Sequence, residues 1–323
     1  MELNKQSVEM KKNFFIGRKN EIEIFKAFIH PENHYLKILN IHGLGGIGKT
    51  YLLAEYSRIA KIDGLLFLKL DSDDFLHTPA GFADYLLILL KEKSDSIRTY
   101  TSVPLENCTR NLNFIASERR VIIAVDSYEK MTALDRWFRE VFIRHINPNV
   151  FFIIAGRNSL EGEWKESPAW RKVTKQIELK DFNLEQTSSY LSHHGINNID
   201  HVTSLWQFTE GHPLTLSLAA ITNKNPNMTS TAADNLTENI PQILMELTKR
   251  WLHEATSEEQ HRLIESAAVL HIFNQEGLSF VLNREISQAT FKKLTSLSFI
   301  KSIRNGWAIH DQIRDAIRIE LKH

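Results

Sequence analysis

The stretch NIHGLGGIGKT, residues 40–50, places Gly43, Gly45, Gly46, Gly48, Lys49 and Thr50 in a turn that follows the apolar run LKILNI (36–41). Gly43, Gly48, Lys49 and Thr50 match G-x-x-x-x-G-K-[ST], whose glycines let successive backbone N–H groups turn inward around phosphate oxygens. Gly45, Gly46 and Ile47 complete the cradle and Tyr51 follows it, while a helix beginning at Lys49 adds the partial positive charge of its N-terminus. Lys49 can reach the outer phosphates, and Thr50 can ligate magnesium. A second acidic group belongs at the end of a neighbouring buried strand, and RRVIIAVDSYEK supplies it: Val121 to Val125 is continuously apolar and Asp126 follows. Thr50 and Asp126 are the candidate metal ligands. Where many ATPases carry a water-polarising glutamate directly after this aspartate, the chain has Ser127, with Glu129 two positions further on. That arrangement argues for slow hydrolysis. A third apolar run, NVFFIIAGRNS (149–159), ends in Gly156-Arg157 and would deliver a cation to the same sheet edge as Lys49 and Asp126. There Arg157 can sense a γ-phosphate or offset charge that develops during its transfer.

The elements that must position these residues are legible as patterns. Apolar strands at 36–41, 64–70, 121–125, 150–155 and 176–179 alternate with helical spacings such as TYLLAEYSRIA (50–60), which predicts an α/β domain of three layers around a mostly parallel sheet. From DFNLEQTSSYLSHHGI to about residue 223 only helical periods occur, and the polar stretch 223–241 reads as a loop. After a helix through PQILMELTKRWLHEA come further helical patterns, two short strands around RNG (304–306) and a closing helix, the order of a winged helix. The expected boundaries are 1–180 for the P-loop domain, 181–240 for a small helical domain and 241–323 for the winged helix. Residues 1–13 are polar and expected to fray.

Three further stretches carry a resemblance. FFIGRKNEIEIFKAFI (14–29) sets Gly17-Arg18 and Glu21 at the start of a helix with the apolar face Ile22, Phe25, Phe28 and Ile29. EGHPLTLSLAA (210–220) opens a helix at Pro213, and WAIHDQIRDAIR (307–318) opens one at His310-Asp311. With these in order behind the phosphate loop, the chain from residue 14 onward resembles the STAND class of signal-transduction ATPases, the group of plant NB-ARC proteins, the apoptosome-forming (AP-ATPase) proteins and many bacterial regulators. The resemblance implies an ADP/ATP site with Mg2+. Phe15, Ile16 and Arg18 would lie against adenine and ribose, and Arg157 would read the γ-phosphate. Pro213 would pack near the base, and His310 would touch the β-phosphate of ADP, with Ile309 where the class usually has Met. It also implies self-association in the ATP state. The chain ends at His323, soon after the winged helix, where members of the class usually continue into a sensor of repeats. The expectation is therefore a core cut from a longer protein or one that relies on a separate protein partner.

Composition narrows the alternatives. Among 323 residues, 39 basic and 39 acidic side chains balance, so no global field draws the chain to nucleic acid or an anionic membrane. Within the winged helix, SQATFKKLTSLSF (287–299) offers Lys292 and Lys293 but little else basic, which argues against DNA as a partner and for a nucleotide clamp. A DNA-binding AAA+ ATPase of the origin-recognition type nevertheless shares the phosphate loop and winged helix and is the alternative reading. A metabolic kinase would leave the winged helix without a role. Cys108 is the single cysteine, which excludes an internal disulfide and a cysteine-rich metal site. His193-His194 read as helix-end cations rather than metal ligands. With no signal-peptide core, and with YLLILL (85–90) as the longest apolar run, a cytoplasmic location is expected.

Overall fold

The computed structural model describes residues 15–30, 32, 35–94, 97–222, 245, 248–249, 252, 257–295, 297, 299–303 and 305–321. The N-terminal stretch 1–13, the polar segment 223–241 with the expected boundary near 240, nearly all of the helix expected at 241–255, and Arg304 of the hairpin turn lie outside them. The chain divides into two compact units. One comprises Arg18–Leu44 and Gly48–Lys180, the other Met1–Gly17, Gly45–Ile47 and Asp181–His323.

The first unit is built on five parallel strands, β1 (Ile38–His42), β2 (Leu66–Asp71), β3 (Val121–Asp126), β4 (Val150–Gly156) and β5 (Thr174–Glu178), in the order β2-β3-β4-β1-β5. β3 and β4 are buried at every position, as continuous apolar runs require when both faces of a parallel sheet are covered. β5 differs from its expectation at 176–179: it begins at Thr174, and of its five residues only Ile177 is buried. An edge strand of mixed polarity leaves little apolar signal to read.

One face carries α3 (Pro79–Lys93), opened by the Thr78 side chain accepting from the Gly81 N–H with Pro79 in the first turn, and α4 (Pro104–Glu118). Phe82 of α3 meets Phe142 edge-on at 5.0 Å within a cluster that includes Phe138 and Phe152. Such pairs add about 0.5–1.5 kcal/mol each beyond area burial. Cys108 is fully buried on α4, and burial pushes its thiol up to about 12. In the folded protein it should therefore stay silent to a thiol-specific chromogenic reagent and react, one equivalent per chain, only after denaturation. Rapid labelling of native protein would show that α4 opens.

On α1 (Lys19–Ile29), Phe25 stacks on Tyr56 of α2 (Lys49–Ile62) at 4.0 Å, and Phe28 meets Phe151 of β4 edge-on. The Tyr56 hydroxyl also donates to the Glu21 carbonyl at 2.7 Å. Of the predicted apolar face, Phe25, Phe28 and Ile29 are buried and Ile22 is half-buried.

Among its described residues the second unit is helical except for one hairpin. It contains α5 (Leu184–His193), started by a reciprocal capping box between Asn183 and Gln186, then α6 (Ile199–Thr209) and α7 (Pro213–Thr222). His193 closes α5, as its reading as a helix-end cation requires. Before α7, Gly211 is irreplaceable: at φ +75 an added Cβ would sit 2.0 Å from the Phe182 carbonyl oxygen. Then follow α8 (Glu258–Val269), α9 (Gln275–Val281), α10 (Gln288–Thr295), the antiparallel pair β6 (Ile300–Ile303) and β7 (Gly306–Ile309), and α11 (Asp311–Glu320), the order expected of a winged helix. A single hydrophobic cluster runs from Phe182 and Leu191 to Ile309, Ile313 and Ile317.

Candidate phosphate-loop site

The strand register of the first unit assembles the site. His42 of β1 pairs with Gly156 of β4, and Asp71 of β2 with Asp126 of β3, so four strands end at one edge. Ligands bind at this carboxyl edge of parallel sheets because loops, not strands, close it. The Gly43 N–H donates to the Gly156 carbonyl at 3.3 Å, tying the start of the phosphate loop to the end of β4. The loop then turns through Gly46 at φ +80 and Gly48 at φ +98, both in the left-handed region that glycine tolerates. Helix α2 starts at Lys49, with Tyr51 exposed in its first turn. The first N–H groups of a helix lack an intrahelical acceptor, which suits a helix start to holding an anion.

Lys49 Nζ donates to the carbonyls of Gly43 at 2.7 Å and Leu44 at 2.8 Å. Burial lowers its pKa, an effect opposed by the Glu129 and Asp126 carboxylates. Asp126 is 2% exposed, at the last position of β3. The Thr50 hydroxyl donates to its Oδ2 at 2.8 Å, and the Ser127 N–H donates to its Oδ1 at 3.1 Å. A hydroxyl and a carboxylate side by side form the hard-oxygen donor pair that magnesium takes, the remaining ligands being water and phosphate oxygens. Among the described residues no group of three or more His, Cys, Asp or Glu is placed to hold a metal.

Arg157 follows β4, its side chain 51% exposed, and is joined to Glu129. The Arg157 backbone N–H donates to Glu129 Oε2 at 3.1 Å, and its Nε lies 3.4 Å from Oε1. Glu129 therefore holds the candidate sensor arginine, and this double engagement competes with any role in polarising water. Arg18 takes a left-handed backbone (φ 59) immediately before α1, is 5% exposed, and pairs with Glu21 at 3.4 Å. Phe15 and Ile16 are half-buried.

In the second unit, Pro213 opens α7 and His310 stands at the N-cap of α11, its N–H donating to the Phe299 carbonyl at 2.8 Å. His212, beside Pro213, is fully buried, and its Nε2 donates to the Gly45 carbonyl at 2.9 Å; a carbonyl only accepts, so Nε2 carries the proton. An added Cβ on Gly46 would lie 2.8 Å from the His212 ring and 2.7 Å from Leu214 Cβ.

Three contributors have no counterpart in the sequence reading. Besides His212, Lys69 of β2 reaches Asp126 Oδ2 at 3.2 Å. Asn40, 1% exposed in the middle of β1, donates to the Ile154 carbonyl at 2.9 Å and accepts from the Leu160 N–H at 3.2 Å, fixing the loop that carries Arg157. A lone lysine in LLFLKLD and a lone asparagine in LKILNI were the only signals available.

No protein-family model matches the sequence, and no curated protein matches it. Among solved structures, the chain is similar to the Signal Transduction ATPase with Numerous Domains (STAND) protein with a tetratricopeptide repeat sensor from Pyrococcus horikoshii, at 18% identity and a TM-score of 0.61. That likeness covers 94% of this chain and 42% of the other, so the chain spans less than half of that protein. It is also similar to Cdc6p from Pyrobaculum aerophilum, at 13% identity and a TM-score of 0.50, over 94% of each chain. At such identities the likeness is one of fold, and the architecture is that of a P-loop NTPase.

Proposed function

We propose that the protein is an ATP/ADP-operated molecular switch of the STAND type, closed with ADP and opened by ATP into a self-associating form that signals. The observation that carries the reading is the convergence, at one sheet edge, of the loop around Lys49, the Thr50–Asp126 pair and Arg157. Loop N–H groups and Lys49 would hold the phosphates, Thr50 and Asp126 would hold Mg2+, and Arg157 would register the third phosphate. When bound, magnesium would screen phosphate charge and orient the terminal phosphoryl group. Ser127 after Asp126, together with the engagement of Glu129 by Arg157, supports slow turnover suited to resetting a switch. In this reading 181–240 and 241–323 are separate domains, His310 favours ADP, and a difference of a few kcal/mol between the two nucleotides inverts the populations. A cytoplasmic location and a C-terminal sensor or separate protein partner belong to the same proposal. Among the described residues no helix is long and apolar enough to cross a membrane.

The test is the nucleotide that purifies with the protein, released by acid and identified by chromatography, with light scattering for assembly. One ADP per chain in a monomer is expected, with ADP lost and oligomers gained in His310→Ala. An empty site that turns ATP over rapidly would overturn the switch. The winged-helix elements, with Lys292 and Lys293 ending α10, favour one second reading, a DNA-binding AAA+ ATPase. Tight, salt-sensitive shift of random duplex DNA would select it.

A further inference from the structure

Lys69 is the one basic side chain of β2, among Leu66, Phe67, Leu68 and Leu70 and two positions before Asp71 at the strand end. It stands opposite Ala124 in the β3 register, two positions short of Asp126, and its side chain runs forward along the sheet edge. That reach brings Nζ to 3.2 Å from Asp126 Oδ2, the same oxygen that accepts the Thr50 hydroxyl at 2.8 Å. The Lys69 side chain is 33% exposed, the Asp126 side chain 3%. A nearly buried carboxylate thus has an ammonium of the same chain on the oxygen that faces the phosphate-loop helix.

We propose that Lys69 is a built-in counter-cation for Asp126 that makes nucleotide binding largely independent of magnesium. The inference rests on the reading of Gly43–Thr50 as the phosphate loop. A bare aspartate beside a polyphosphate repels it, and in a site without a second cation the metal must neutralise both. Here the ammonium cancels the aspartate charge in a partly desolvated setting where screening by salt is weak. It also competes for Oδ2, because any divalent ion there must share that oxygen with Lys69. Both effects act in one direction: magnesium adds little to nucleotide affinity while Lys69 is present, and more once its charge is removed.

The experiment titrates a fluorescent ADP analogue into the full chain with excess EDTA or with millimolar Mg2+, for wild type, Lys69→Met, Lys69→Gln, Lys69→Arg and Lys49→Ala. The wild-type dissociation constants should agree within about threefold, whereas Lys69→Met and Lys69→Gln should bind about tenfold or more weakly in EDTA than in magnesium. Lys69→Arg, which keeps the charge, should behave as wild type. Equal magnesium ratios in wild type and both neutral variants would overturn the inference, as would a wild-type ratio of tenfold or more. The reading beneath it has its own arm. If the analogue binds Lys49→Ala as tightly as wild type, the phosphate loop is not the site and the inference falls with it.

Discussion

Lys49→Ala is expected to weaken ADP and ATP binding by at least about 100-fold, or about 2.7 kcal/mol, while leaving the fold intact. The ammonium stands at the start of α2, beside loop N–H groups, partly buried and with its pKa lowered by that burial. A charge-assisted bond to phosphate in such a place contributes about 1.5–3 kcal/mol, and Lys49 can make more than one by exchanging its bonds to the Gly43 and Leu44 carbonyls for phosphate oxygens. The Leu44 bond is exposed and the Gly43 bond part-buried, so water can take the place of the lost donor at least at Leu44. Unfolding without nucleotide should therefore shift by about 1 kcal/mol or less, a few degrees in Tm. The separation between the two readouts is the point. Nucleotide titration should collapse while thermal unfolding of the nucleotide-free protein barely moves, and unaltered titration in a well-folded variant would place the nucleotide elsewhere.

What was legible in the sequence was whatever the chain writes locally. Gly43 to Thr50 is a contiguous loop, and Asp126 and Arg157 each close a continuous apolar run, so motif and strand end could be read together without knowing the strand order. The core strands were found because burial on both faces leaves runs of Val, Ile and Phe. β5, with Ile177 alone buried, gave its position only in part. Lys69, Asn40 and the bond between Glu129 and Arg157 were hidden for another reason. Each depends on which strands are neighbours: β2 beside β3 brings Lys69 to Asp126, and β4 between β3 and β1 brings Glu129 to Arg157 and Asn40 to Leu160. No spacing encodes that adjacency. His212 was overlooked because Gly-His-Pro-Leu reads as a helix start, with the proline the conspicuous residue. Its bond to Gly45 spans 167 positions of sequence.

Asp126→Asn is the substitution expected to separate binding from turnover most sharply. The side chain keeps its shape, but one of its two oxygens becomes an NH2 group. With the amide oxygen kept toward Lys69 and Thr50, the NH2 faces the Ser127 N–H, donor against donor; turned the other way, it faces the Lys69 ammonium. Either orientation loses one buried hydrogen bond, so the variant should be less stable by about 1–3 kcal/mol in denaturant unfolding. ADP affinity in EDTA should match or exceed that of wild type, because a negative charge beside the phosphates is gone while Lys69 and Lys49 remain. ATP turnover in magnesium should fall by about 100-fold or more, since a neutral amide is a poor magnesium ligand and the metal is then held by Thr50 and the nucleotide alone. Turnover that persists in a folded Asp126→Asn protein would move the metal-holding role to another carboxylate. Among the carboxylates at the same edge, Asp71 included, Glu129 is the next to test, and Glu129→Gln would also release the Arg157 guanidinium.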